Sequence, residues 1–449
     1  MLKKILSLLL TVAVVLSLVA MAGCGKENGS NNSGTASTAS GVDALAEEEY
    51  FLDVPSELKG TRVQFATWIA HDTTDTGEVL AKFEQVTGIK PEIVLVNQED
   101  YTVKLAALIN AGQSPDVLVE NGDFPSSIAL LTPLTKEETG LDVTDPFWDQ
   151  KVVDFYTVGK YPYLVNGSHS SWDLASSLTY FNKTVLEENG IKSPSEYAAE
   201  NNWTLDSMKT LMRQINQACG YNNPGTEVTD YVIATIFGGQ IISWDTTTDT
   251  FVNKINSQEM TEAYQWLLQC KEEGLLKYNS EHGSDIQQGK GALQLTAAYG
   301  LRSRPGWFYE MDLDDLAFEL LPKKDASSEQ PYTGTARAYG ICKGSKNPKA
   351  ATYFLRWFLN EDHYDLNQVF KNDEAVTIYK TLRENKSTKY LAVQGGVAKV
   401  SAMSPASLTA DVFNGSSAQV RVNLAKASNV VDDCVNRANA VIQDVIANQ

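Results

Sequence analysis

Arg62-Val63-Gln64-Phe65-Ala66-Thr67, Ile93-Val94-Leu95-Val96 and Val117-Leu118-Val119 are three short, strand-like apolar runs, and what separates them decides the fold. Between the first two, Val79, Leu80, Phe83 and Val86 recur at helical spacing, and Thr87-Gly88 closes the helix. Between the second and third, Leu105, Ala106, Leu108 and Ile109 form another helical stripe, which Ala111-Gly112 stops. Strands alternating with helices predict an α/β fold, a mainly parallel sheet covered by helices. In open sheets of that kind ligands gather beyond the carboxyl ends of the strands. Attention therefore falls on Trp68 through Asp72 and on Glu120 through Asp123.

A second block starts near Leu178 to Phe181. Thr204 is placed to cap a helix with Met208, Leu211, Met212 and Ile215 on one face, and Ser257 to cap the helix carrying Ala263, Leu267 and Cys270. Between them, Ile241 to Trp244 and Thr250 to Val252 read as a hairpin around Asp245 to Asp249. Asn347-Pro348, a cap followed by proline at the first helical position, opens a helix with Ala351, Phe354, Leu355 and Phe358 inward. No internal repeat is evident.

The amino terminus sets the compartment. Lys3 and Lys4 precede an apolar run, Ile5 to Ala22, that ends in small residues before Cys24. This is the pattern of an export signal. A run of about 18 apolar residues is also just long enough to span a bilayer, but the small-residue exit into Cys24 and the polar stretch beyond fit processing better. Met21-Ala22-Gly23-Cys24 resembles the lipobox of bacterial lipoproteins, in which the cysteine is acylated; Met21 stands where leucine is usual. The resemblance implies a signal peptide over residues 1–23, lipidation of Cys24 and anchorage at the outer face of the cell membrane. Residues 24–45, rich in Gly, Ser, Asn and Thr, cannot order themselves and read as a flexible tether.

The remaining body is long enough for two domains. Formal net charge is -19, and the presumed leader removes only Lys3 and Lys4 among charged residues. So acidic a chain is repelled by phosphate backbones, which argues against nucleic acid as a partner. Cys219, Cys270, Cys342 and Cys434 show no metal or redox spacing. Cys270 falls on an apolar helix face with Met260, Ala263 and Leu267 and reads as a buried thiol, while disulfides outside the cell stay open as an alternative.

Five segments together resemble the extracellular solute-binding proteins of ABC importers, the family that includes maltose-binding protein. They are Phe83 to Lys90, Ala111 to Val117 with its Gly-x-x-Pro-Asp-Val step, Tyr180 to Lys183 followed by Asn189-Gly190-Ile191, Gln288 to Leu293, and Gly344 to Asn347 leading into a helix. The resemblance implies a two-lobed periplasmic-binding-protein-like fold of type II, with the ligand in a cleft between the lobes. Crossovers near Leu164 to Trp172 and Pro331 to Arg337 divide the body into residues 60–168 plus 337–388 and residues 172–332 plus 389–449. It implies a monomer that closes on its solute by hinge motion and delivers it to membrane permease subunits, with no cofactor and no metal.

A sugar needs aromatic planes for its ring faces and hydrogen-bonding side chains for its hydroxyls. Trp68, His71 and Asp72 follow the first strand; Glu120, Asn121 and Asp123 follow the third. Glu120 and Asp123 match family positions where an aromatic and a carboxylate meet sugar, and Tyr299 matches the stacking aromatic after the Gly-Lys-x-Ala step. Trp172 and Asp173 lie on the crossover, and Arg302 and Trp307 lie near Tyr299. Trp244 is a further candidate, with a hairpin core as its alternative, and Arg337 serves either a polar ligand group or an ion pair across the hinge. The expected solute is a mono- or oligosaccharide; the alternatives are a non-sugar solute such as a polyamine and, in a different class, a secreted glycoside hydrolase. Against an enzyme, the sequence holds no His-Glu-x-x-His, Gly-x-Ser-x-Gly or P-loop, and its four histidines are dispersed.

Overall fold

The computed structural model describes residues 50–449 apart from 72–73, 121, 171–176, 221–223, 279–283, 303–310, 312–313, 333–336, 371 and 386–392. β1 (Arg62–Thr67) buries Val63, Phe65 and Ala66. The helix Thr74–Thr87 packs Val79, Leu80 and Phe83 inward, but Val86 is exposed, contrary to the sequence expectation. Thr87, four residues after Phe83, takes the next inward place instead, its Oγ1 donating to the Phe83 carbonyl at 2.7 Å. Gly88 then ends the helix at φ +71°.

β2 (Lys90–Leu95) starts before its apolar run because parallel pairing with β1 begins at Arg62↔Lys90 and continues to Thr67↔Leu95. It is an edge strand, where Pro91 is tolerated. After the helix Tyr101–Asn110, β3 (Val117–Val119) pairs in parallel with the other side of β1. A small hairpin, β4 (Thr157–Val158) and β5 (Tyr161–Pro162), precedes the first crossover.

β6 (Ser177–Asn182) is buried along its whole length and opens a second sheet. Thr204 and Ser207 form a reciprocal cap on the helix Leu205–Ala218. Met208, Leu211, Met212 and Ile215 are buried on that helix, each burial contributing about 1.5–3 kcal/mol. β7 (Thr226–Val228) follows, then the antiparallel hairpin of β8 (Ile242–Asp245) and β9 (Thr250–Asn253), read from the sequence to within a residue. The helix Gln258–Glu272 is capped by Ser257 and buries Cys270. β10 (Lys277–Tyr278), β11 (Leu293–Ala297) and β12 (Leu316–Glu319) complete the sheet in the order β10-β7-β11-β6-β12, with β6 antiparallel to both neighbours.

β13 (Tyr339–Ile341) returns to the first sheet, antiparallel to β3, giving the order β13-β3-β1-β2. The helix Pro348–Phe358 follows with proline in its first turn. Contrary to the sequence expectation, Asn347 does not cap it with its side chain; Asn347 Nδ2 instead donates to the Arg62 carbonyl at 3.0 Å, tying the helix start to β1. Farther on, the helices Gln394–Val400 and Val420–Ala447 pack together, the latter also against β9. All four described cysteines are free, so the disulfide alternative falls; three are buried and Cys219 is half-buried. Among the described residues no helix is long and apolar enough to cross a membrane.

The two sheets are joined by crossing strands held side by side. Val165 and Tyr339 form an antiparallel bridge, with Val165 N donating to Tyr339 O at 2.9 Å and Tyr339 N returning at 2.8 Å. Asn166, fully buried, donates from Nδ2 to the Arg337 carbonyl at 2.8 Å. A side chain at Gly167 would run into the Leu359 carbonyl, so only glycine permits this approach.

Candidate functional site

At the carboxyl ends of β1 and β3 the backbone leaves the sheet and presents side chains beyond it. Trp68 comes directly after β1 and is half-buried. Its ring stands edge-on to Tyr101 with centroids 5.2 Å apart and planes at 88°. Tyr101 itself is anchored, donating from its hydroxyl to the Ala66 carbonyl at 2.7 Å and accepting from Val119 N at 3.2 Å. Burial pushes that phenol well above its usual range, so it stays protonated and keeps donating. Tyr101 thus links β1 to β3 and fixes one edge of the indole. Sequence reasoning missed this role, because its signal is a single aromatic at a helix start.

Arg337, just ahead of β13, lies over the Trp68 ring with its Cζ 5.5 Å from the centroid. Its backbone is held by Asn166 on one side and, through Ala338, by Glu120 N at 2.8 Å on the other. Two residues far apart in sequence and both expected at the site therefore meet there.

Glu120 differs from its expected role. Its carboxylate turns inward and accepts Gly122 N at 2.8 Å, Asp123 N at 2.6 Å and Phe124 N at 2.9 Å. It organises the loop beyond β3 rather than facing outward, because three consecutive amides of that turn need an acceptor. Burial raises its pKa; the amides pull it back and the neighbouring Asp123 charge adds to the rise. Asp123 is buried and engaged on both oxygens, accepting from the Thr102 hydroxyl on one and pairing with Lys399 Nζ at 2.5 Å on the other. Lys399, from the helix Gln394–Val400, is a site neighbour that no local pattern singles out.

The other expected residues divide. His71 is buried with φ 52° and its ring lies 5.5 Å from that of Phe65 and 5.3 Å from that of Phe358, so it serves the core beneath the site. Trp244 is a hairpin-core residue. It packs on Phe251 at 4.6 Å and Phe124 at 5.2 Å, and its Nε1 donates to the Phe155 carbonyl at 3.0 Å. Arg302 is buried and its backbone bridges Phe370, which rules out a surface charge. Tyr299 sits in the turn Ala298–Leu301 after β11, and its side chain lies outside the described residues. Asp72, Asn121, Trp172, Asp173, Trp307 and Cys24 lie outside them altogether.

Two α/β sheets joined by paired crossovers, with side chains gathered beyond the carboxyl strand ends, define a two-lobed binding protein. Solved structures share this fold. The GacH receptor of Streptomyces glaucescens, crystallised unliganded and with acarbose, superposes with a TM-score of 0.63 at 15% identity, over 84% of this chain and 98% of that one. The galacto-N-biose-/lacto-N-biose I-binding protein of a Bifidobacterium longum ABC transporter gives 0.59 at 16% identity, over 84% and 98%. The sugar-binding protein MalE of Xanthomonas citri gives 0.58 at 16%, over 87% and 100%. No curated protein matches the chain in sequence. Residues 69–364 match the model of the bacterial extracellular solute-binding proteins, and the chain belongs to that family.

Proposed function

We propose that this chain is the carbohydrate-receiving component of an ABC importer, exported, tethered through a lipid on Cys24 and closing its two lobes on the solute by a hinge at residues 164–172 and 331–337. The observation that carries the reading is the indole of Trp68, presented at the carboxyl end of β1 with Tyr101 on its edge and Arg337 on its face. An indole plane beside fork-shaped donors suits a sugar, which offers apolar ring faces and a girdle of hydroxyls. Support also comes from relatives of like fold that bind acarbose and lacto-N-biose. Lobe one comprises residues 60–168 and 337–388 and lobe two residues 172–332 and 389–449. The site binds without turnover, and the protein acts as a monomer handing its solute to permease subunits.

The test is a titration of intrinsic tryptophan fluorescence with mono- and oligosaccharides, run beside mass spectrometry of the recovered sugar. Saturable binding of an unaltered sugar that Trp68→Ala abolishes is expected. Turnover of the sugar, or saturable binding confined to amino acids, would remove the proposal.

A further inference from the structure

Among the described residues, the charge balance around Trp68 is the reverse of what the acidic composition implies. The two acids beyond β3 are occupied within the chain: Glu120 by three backbone amides, Asp123 by Thr102 and Lys399. Lys399 is likewise matched. Arg337 is not. Its guanidinium lies over the Trp68 ring and, among the described residues, makes no hydrogen bond and no ion pair, although acids outnumber bases in this chain by 56 to 37. It is half-buried, and its backbone is pinned by Asn166 and Ala338 between the two crossing strands. A guanidinium held on an indole keeps its planar fork oriented, and the donors of that fork pair bidentately with the oxygens of an anionic group such as a carboxylate.

We propose that the solute is an anionic carbohydrate, a sugar bearing a carboxylate, and that Arg337 is the residue selecting it. This rests on the carbohydrate reading above. The carboxylate takes a bidentate pair of hydrogen bonds from Arg337 while the sugar ring lies along Trp68. A polyamine is disfavoured by the same arrangement, since its ammonium groups would meet the Arg337 cation and, among the described residues, find Glu120 and Asp123 already engaged.

The experiment is isothermal titration of the full chain, purified in detergent, with matched acidic and neutral sugars: digalacturonate against galactobiose, cellobiouronate against cellobiose and sialyllactose against lactose, with spermidine alongside. At least one acidic member is expected to bind about 10- to 100-fold tighter than its neutral partner, the range of a charge-assisted pair, with an affinity that falls as salt is added. Arg337→Gln weakens the acidic sugar far more than its neutral partner and so removes the preference, while the melting temperature stays in place; Arg337→Lys, keeping charge without the fork, recovers only part of it. If the neutral partners bind as tightly as the acids, if Arg337→Gln leaves acid binding intact, or if spermidine binds best, the inference is overturned while solute binding stands. If no sugar of either kind binds, the carbohydrate reading falls and takes the inference with it.

Discussion

Lys399 Nζ lies 2.5 Å from Asp123 Oδ1, joining residues separated by most of the chain and fastening the helix Gln394–Val400 to the loop beyond β3. The same helix meets that loop through Gly396, where a Cβ would fall on the Phe124 carbonyl. The two contacts differ in kind. Lys399 is nearly half exposed, so Lys399→Ala costs at most about 1 kcal/mol. Gly396→Ala forces backbone apart and costs about 1–3 kcal/mol, the range of overpacking. Urea unfolding of both variants checks the order; equal stability of Gly396→Ala and the parent would show that the helix does not dock there.

Glu120→Gln tests the loop. An amide offers one oxygen where the carboxylate offers two, and its NH2 faces backbone amides that cannot accept from it. A loss of about 1–3 kcal/mol is expected in the denaturation midpoint, the cost of leaving buried donors unmade. Solute affinity should fall with it, because the loop that loosens begins at Glu120, whose backbone N–H holds the Ala338 carbonyl next to Arg337. Unchanged stability with reduced affinity would instead assign Glu120 a direct contact with solute.

The thiols give a third test. Burial pushes Cys270 up to about 12 and raises Cys342 and Cys219 as well. At pH 8 only roughly one Cys270 in ten thousand is thiolate, the reactive form. A soluble form beginning at Gly25 should give at most one slowly reacting thiol, Cys219, with a disulfide-exchange reagent, and four after unfolding in guanidinium chloride. Fewer than four on unfolding without reductant would mean that a disulfide exists after all.

Why some of this was legible in sequence and some not is a matter of range. β1, β3, the caps at Thr204 and Ser257 and the hairpin around Asp245 are set by neighbours within a few residues, and periodicity or capping chemistry exposes them. Trp68 and Arg337 could each be nominated from their places at strand ends, but only the fold lays one on the other. Glu120 looked outward because an acid after a strand usually does; that it folds back onto three amides depends on the turn at Gly122, φ +68°. Lys399 and Tyr101 were invisible because their partners lie on other elements.

His363 supplies the last prediction, and its sign can be worked out in advance. Its ring stacks on Trp357 at 3.8 Å and 26°, and Nδ1–H donates to the Trp357 carbonyl at 2.8 Å. Burial lowers its pKa below the ordinary histidine value, with the nearby Lys82 charge lowering it further and Asp362 and the carbonyl opposing. A base whose folded pKa is depressed is neutral in both states above the unfolded value of about 6.5, so it adds no pH dependence there. As pH falls below that, the unfolded chain takes up a proton that the folded ring resists, and stability drops. His363→Phe keeps an aromatic ring on Trp357 but cannot be protonated. Its stability measured from pH 7 down to 5 should therefore fall less steeply than the parent's, by up to one proton's slope, while the remaining histidines and the carboxylates cancel in the difference. Parallel curves for the two proteins would mean that His363 titrates in the folded protein as it does in the unfolded chain.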